Sequence, residues 1–127
     1  MTENSIFKSE SGKREVINFY EKLLTDWQKP FREHFIQTNF GETFVLESGD
    51  KSFPVIVLLH GSSSNSAMWK YDVFEYSKRY HVFAVDIVGE CGKSAENSPG
   101  FKHQNYAKWL VQIFEKLHIT RASIVGC

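Results

Sequence analysis

The chain has 127 residues with 15 basic and 15 acidic side chains, so its formal net charge is zero at pH 7. That balance removes the electrostatic basis for binding nucleic acid or an anionic membrane, and an apolar content of 42% excludes a disordered chain. No apolar run approaches the roughly 20 residues that span a bilayer, the polar N-terminus lacks the apolar centre of a secretory signal, and two cysteines are too few for a disulfide framework, which suits a reducing, cytoplasmic setting.

Residues 1–13 are polar and predict a frayed tail. From Arg14 to Gln28, Val16, Ile17, Phe19, Tyr20, Leu23, Leu24 and Trp27 recur at helical spacing, which predicts a surface helix packed on a core and closed by Pro30. Residues 1–30 thus form a tail and helix ahead of a core domain that starts at residue 31. Phe35–Thr38 and Thr43–Leu46 read as strands joined by a turn at Asn39-Phe40-Gly41-Glu42, with a polar loop from Glu47 to Phe53. Pro54 then opens the apolar run Val55–Leu59, a strand of the kind buried on both faces inside a parallel sheet. A helix capped by Ser66 is expected to run to about Arg79, followed by a strand over His81–Ile87 and a Gly- and Ser-rich loop. A second amphipathic helix spans Gln104–Leu117, and Ala122–Val125 is a last short strand. Strand, helix, strand, helix, strand predicts a mostly parallel twisted sheet with crossover helices on its faces, a three-layer α/β/α sandwich.

Three motifs carry chemistry. His60-Gly61-Ser62 follows the Val55 strand, and glycine there lets backbone approach a ligand, so that the Ser62 N–H can face a developing oxyanion. His60 itself reads as a structural hydrogen-bonder. Gly92-Lys93-Ser94 suggests a phosphate-binding loop, but that motif needs glycine five residues before Gly92, and Ile87 stands there. The end of the sequence, Ser123-Ile124-Val125-Gly126-Cys127, is a strand running into the first half of a nucleophile elbow, G-x-S-x-G. Cys127 occupies the x position, so it is read as a small buried residue and not as the nucleophile.

Together these pieces resemble the α/β-hydrolase superfamily, in particular its bacterial esterase- and lipase-like serine hydrolases. The matching residues are Phe40-Gly41-Glu42-Thr43, Leu58-Leu59-His60-Gly61, Val85-Asp86-Ile87 through Ser94, the helix at Tyr106-Ala107-Lys108-Trp109-Leu110 and the strand Ile124-Val125-Gly126. The resemblance implies that residues 31–127 are the N-terminal half of the core, with the Val55 strand central and the Ala122 strand beside it. It implies the Ser62 N–H as one oxyanion donor, supported by His60, Gly61 and Ser63, with Asp86 and Gly89 shaping the neighbouring loop and Gly126 and Cys127 approaching the elbow. That neighbouring loop carries one residue more than the usual D-x-x-G-x-G-x-S pattern, at Glu90-Cys91-Gly92.

Chain order in this family runs nucleophile, acid, histidine. The resemblance therefore implies that His34, His60, His81, His103 and His118 come too early to be the base, and Asp72 and Asp86 too early to be the acid. The serine is expected immediately after Cys127, and the triad in the remainder of the same protein, on this chain or a separate one. The activity implied is hydrolysis of a small carboxylic ester or related acyl substrate, with no metal, cofactor or membrane span. The alternatives are a haloalkane dehalogenase, epoxide hydrolase or C–C bond hydrolase of the same fold, and a non-catalytic binding protein.

Overall fold

The computed structural model describes residues 5–127; the first four residues of the expected tail lie outside it. Helix α1 (Glu10–Leu24) starts four residues earlier than its apolar spacing indicated. Ser9 caps it by accepting the Gly12 N–H at 3.0 Å, and Glu10 sits at the positive end of the helix dipole. It also ends earlier, before Pro30 can act, and Trp27 continues past the end to donate from Nε1 to Ser48 Oγ at 3.0 Å.

Strands β1 (Phe31–Thr38) and β2 (Gly41–Ser48) form a hairpin with Thr38 opposite Gly41. Both are longer than the sequence indicated, so Glu47 and Ser48 belong to β2 and not to a polar loop. The reason is tertiary: β2 is paired on both sides, and β4 (His81–Val85) takes up its polar end, with Ser48 opposite Val82. The five strands run in the order β1-β2-β4-β3-β5, with β3 spanning Val55–Leu59 and β5 spanning Ser123–Gly126. The hairpin side of this mixed sheet is antiparallel; β4, β3 and β5 are parallel, and β3 is flanked on both sides.

Side chains alternate between the two faces of the sheet, as the two-residue period of a strand requires. Phe44, Leu46, Ile56, Leu58, Val82 and Ala84 pack on one face with Tyr20, Leu24, Trp27, Trp69 and Val73. Val45, Val57, Phe83 and Val85 pack on the other with Trp109 and Ile113 of helix α3 (Asn105–Lys116). The result is three layers, with helix on both faces of the sheet. No helix of the described residues is long and apolar enough to cross a membrane.

The single helix expected after the serine loop is broken into a 3₁₀ turn, Ser66–Trp69, and a short α2, Asp72–Tyr76. Its cap is Asn65 and not Ser66: Asn65 Oδ1 accepts the Ala67 N–H at 3.0 Å, whereas the Ser66 N–H is drawn away to Asp86.

Glu47 shows how the longer β2 is held. Its carboxylate accepts from His34 Nε2 at 2.8 Å and from His81 Nε2 at 2.5 Å. Burial pushes this carboxyl up, but the two histidine hydrogen bonds and charges outweigh burial and hold it below its ordinary value of 4.5. A folded value below the unfolded one stabilises the protein above the unfolded pKa, and that contribution is lost as pH falls through the folded value. Glu47→Gln is expected to flatten the acid side of the stability profile, read as urea midpoints from neutral to acid pH.

Candidate active site

Parallel pairing sets Leu59 opposite both Val85 and Gly126, so the loops leaving β3, β4 and β5 converge at one end of the sheet. Ligands gather at the carboxyl ends of strands in open α/β sheets for this reason.

His60 is buried and locked between two of these loops. Its Nδ1 lies 2.8 Å from the Gly61 carbonyl, and its Nε2 accepts the Ile87 N–H at 2.9 Å. An acceptor at Nε2 and a carbonyl at Nδ1 assign the proton to Nδ1, leaving neither nitrogen for proton transfer. Gly61 lies against the end of β5, where an added Cβ would sit 3.6 Å from the Cys127 carbonyl oxygen.

The serine loop is tied down directly after Ser62. The Ser63 N–H donates to Glu90 Oε2 at 2.8 Å, the Asn65 Nδ2 donates to the Cys91 carbonyl at 3.1 Å, and the Ser66 N–H donates to Asp86 Oδ1 at 2.8 Å. Ser63 adopts φ +58, a left-handed conformation that turns its amide toward Glu90. Ser62 is exposed, and among the described residues no acceptor takes its N–H. Glu90 belongs to the segment with one residue beyond the usual pattern.

Asp86 is the fixed point of the assembly. It is fully buried, and Tyr20 of α1 donates its hydroxyl to both carboxylate oxygens at 3.0 Å. Burial first, then the charge and hydrogen bond of Asp86, push the Tyr20 phenol far above its ordinary range, so it remains a donor. The Lys93 N–H closes the set at 2.9 Å from Oδ2. The Asp86 carbonyl accepts from Ser94 Oγ at 2.5 Å, and the same hydroxyl accepts the Phe44 N–H at 2.8 Å, which pins the loop to β2.

Gly92-Lys93-Ser94 is therefore structural, as the failed spacing of a phosphate loop implied. The Lys93 ammonium pairs with Glu21 and lies over the rings of Tyr20 and Phe44. Gly92 is required by crowding: a Cβ there would come 2.4 Å from Asp86 Oδ2 and 3.2 Å from Asn65 Cβ. That oxygen ends a short side chain held by three donors and cannot swing away. Gly92→Ala is expected to lower stability by about 1–3 kcal/mol, measured by urea unfolding. Gly89 serves the same loop with φ +83, its N–H donating to the Ala95 carbonyl at 2.8 Å.

Cys127 departs from expectation: it is exposed, because β5 has a strand neighbour on one side only in the described sheet. Cys91 is half-buried and desolvation pushes its thiol up, the opposite of an activated nucleophile. Two contributors escaped the sequence reading, Tyr20 and Glu90. A tyrosine on the inward face of an amphipathic helix needs a buried partner for its hydroxyl, and that signal was available for Tyr20.

No protein-family model matches the chain. It is 35% identical over 107 residues to an uncharacterized carboxylesterase, nap, of Bacillus subtilis, covering 84% of this chain and 36% of that protein. It is 32% identical over 117 residues to the carboxylesterase YbfK of the same organism, covering 92% of this chain and 39% of the relative. The crystal structure of naproxen esterase (carboxylesterase NP) from Bacillus subtilis superposes with a TM-score of 0.81 at 34% identity, over 94% of this chain and 42% of that one. The chain carries part of an α/β-hydrolase fold. It spans about two fifths of the length of the relatives it matches. The same α/β-hydrolase frame extends to a haloalkane dehalogenase from Bradyrhizobium elkani, with a TM-score of 0.68 at 22% identity, a likeness of fold alone.

Proposed function

We propose that this chain supplies the oxyanion-binding loop of an esterase-like serine hydrolase acting on small carboxylic esters or related acyl substrates. The observation that carries the proposal is the untied, exposed Ser62 N–H, beside a Gly61 that touches the end of β5. The similarity to bacterial carboxylesterases supports it.

In this reading a serine following Cys127 attacks the substrate carbonyl, and the charge that develops on oxygen is met by the Ser62 N–H. His60, through its bonds to Gly61 and Ile87, and Glu90, through Ser63, hold that amide in place before substrate arrives. Preorganisation of this kind favours the transition state because no loop need reorder during the reaction. The triad acid and base belong to parts of the protein beyond residue 127. A reducing, cytoplasmic setting belongs to the same reading and rests on the low cysteine count.

The test is a fluorophosphonate probe on the product of the complete open reading frame that contains this chain. Covalent labelling of one serine, with loss of ester hydrolysis, is the expected result. Folded protein that neither labels nor hydrolyses esters favours a binding protein of the same fold.

A further inference from the structure

At the other end of β4 from the Asp86 loop, a cleft of about 300 Å³ opens between the hairpin, the start of β4 and the end of α3. Glu47 and His81 form its floor, with 9% and 11% of their side-chain surfaces left to solvent, and His34 lies beside them. Around that floor stand Arg32 of β1, Lys51 of the turn after β2, and Lys116 and His118 at the end of α3. Three permanent cations from three separate elements thus face one carboxylate, in a chain whose net charge is zero.

The positive charge of this cleft is not cancelled by its neighbours. Among the described residues, Arg32, Lys51 and Lys116 have no carboxylate in ion-pair range, whereas Lys13, Lys70, Lys78 and Lys93 are all paired. Glu47 is already engaged by His34 and His81. Asp50, next to Lys51, accepts both the N–H and the hydroxyl of Ser52 at 2.7 Å. Glu33 lies on the opposite face of β1 from Arg32 and His34 by strand alternation, and Glu115 lines a separate cleft beside Phe40. The negative end of α3 is also met: the Ile113, Phe114 and Glu115 carbonyls accept the N–H groups of Leu117, Ile119 and His118.

We propose that this cleft binds a dianionic phosphate group, free or carried by a small phosphomonoester. Cations on three sides suit a tetrahedral oxyanion, whose oxygens diverge, better than a planar carboxylate. The volume, at the lower end of small-molecule pockets, suits one such group and a short body attached to it. Two histidines and a carboxylate also suggest a metal ion, but both imidazoles spend Nε2 on Glu47, and no such set among the described residues is disposed to hold one.

The proposal is independent of the hydrolase reading. It rests on convergent charge and not on uncovered apolar surface. Chain beyond Cys127 leaves from β5, at the opposite edge of the sheet from β1.

Isothermal titration calorimetry on the product of the complete open reading frame tests it, with inorganic phosphate and phenyl phosphate as probes at fixed ionic strength. Saturable binding of one or both probes is expected. Tighter binding of phenyl phosphate assigns a phosphomonoester as the ligand, and equal or weaker binding assigns the free ion. Arg32→Gln combined with Lys116→Gln is expected to weaken binding about 10-fold or more. Arg32→Lys, which keeps the charge and loses the planar fork, is expected to weaken it less. Lys108→Gln, on α3 but outside the cleft, is expected to leave binding unchanged. Arg32 and Lys116 are exposed, so the double variant folds, which a thermal melt checks. Failure of both probes to saturate overturns the site. So does binding that survives the double variant, or that falls equally in Lys108→Gln.

Discussion

Asp86→Ala is expected to destabilise the protein by about 3–5 kcal/mol, measured as the change in unfolding free energy in urea. The Asp86 side chain is fully buried and receives three donors: the Tyr20 hydroxyl, the Ser66 N–H and the Lys93 N–H. Alanine leaves all three donors without their shared acceptor. Each stranded donor costs about 1–3 kcal/mol, because its desolvation is no longer offset. The loss is a large share of the roughly 5–15 kcal/mol that holds an ordinary domain together. The three donors come from α1, the turn after the serine loop and the loop after β4, so losing their shared acceptor loosens three elements at once. Asp86→Asn tests the origin of the effect. An amide retains one oxygen acceptor but turns its NH₂ against a donor, so Asn is expected to destabilise less than Ala and still measurably. A loss below about 1 kcal/mol in Asp86→Ala would show that the donors find other partners and that Asp86 is not the anchor.

Ser62→Pro is expected to lower kcat for ester hydrolysis by about 100- to 1,000-fold, the usual effect of removing one oxyanion donor. Proline deletes the N–H together with the hydroxyl and fixes φ, and the preceding Gly61, lacking a Cβ, tolerates the restriction that proline places on its neighbour. Ser62→Ala removes the hydroxyl and keeps the amide, so its loss is expected to be far smaller. The contrast separates backbone from side chain. Kinetics on the product of the complete open reading frame measure both variants, with KM compared to show that the loss falls on kcat. Equal losses in the two variants would assign the role to the hydroxyl and defeat the oxyanion assignment.

Much of the fold was legible because its signals are local. The apolar run Val55–Leu59 and the strand at His81 were readable from length and β-branched content, and Leu59-His60-Gly61 marked the end of a buried strand. For Glu47, Ser48 and Ser66 the deciding partner lay far away in sequence. Glu47 and Ser48 looked like loop because both are polar, yet His34, His81 and Trp27 supply their hydrogen bonds. Ser66 looked like a cap until Asp86, twenty residues on, took its N–H.

The sequence by itself determined the strand–helix order, the balanced charge and the place of the glycines at His60-Gly61 and Gly92, because spacing and backbone permissiveness are properties of a few adjacent residues. Only the tertiary structure decided which amide in the serine loop stays untied, that α1 is fastened through Tyr20 to the site, and that Glu90 anchors Ser63. These are pairings between groups 27 and 66 residues apart. Packing the two faces of the sheet brings such groups within 3 Å of each other, and no periodicity along the chain records that distance.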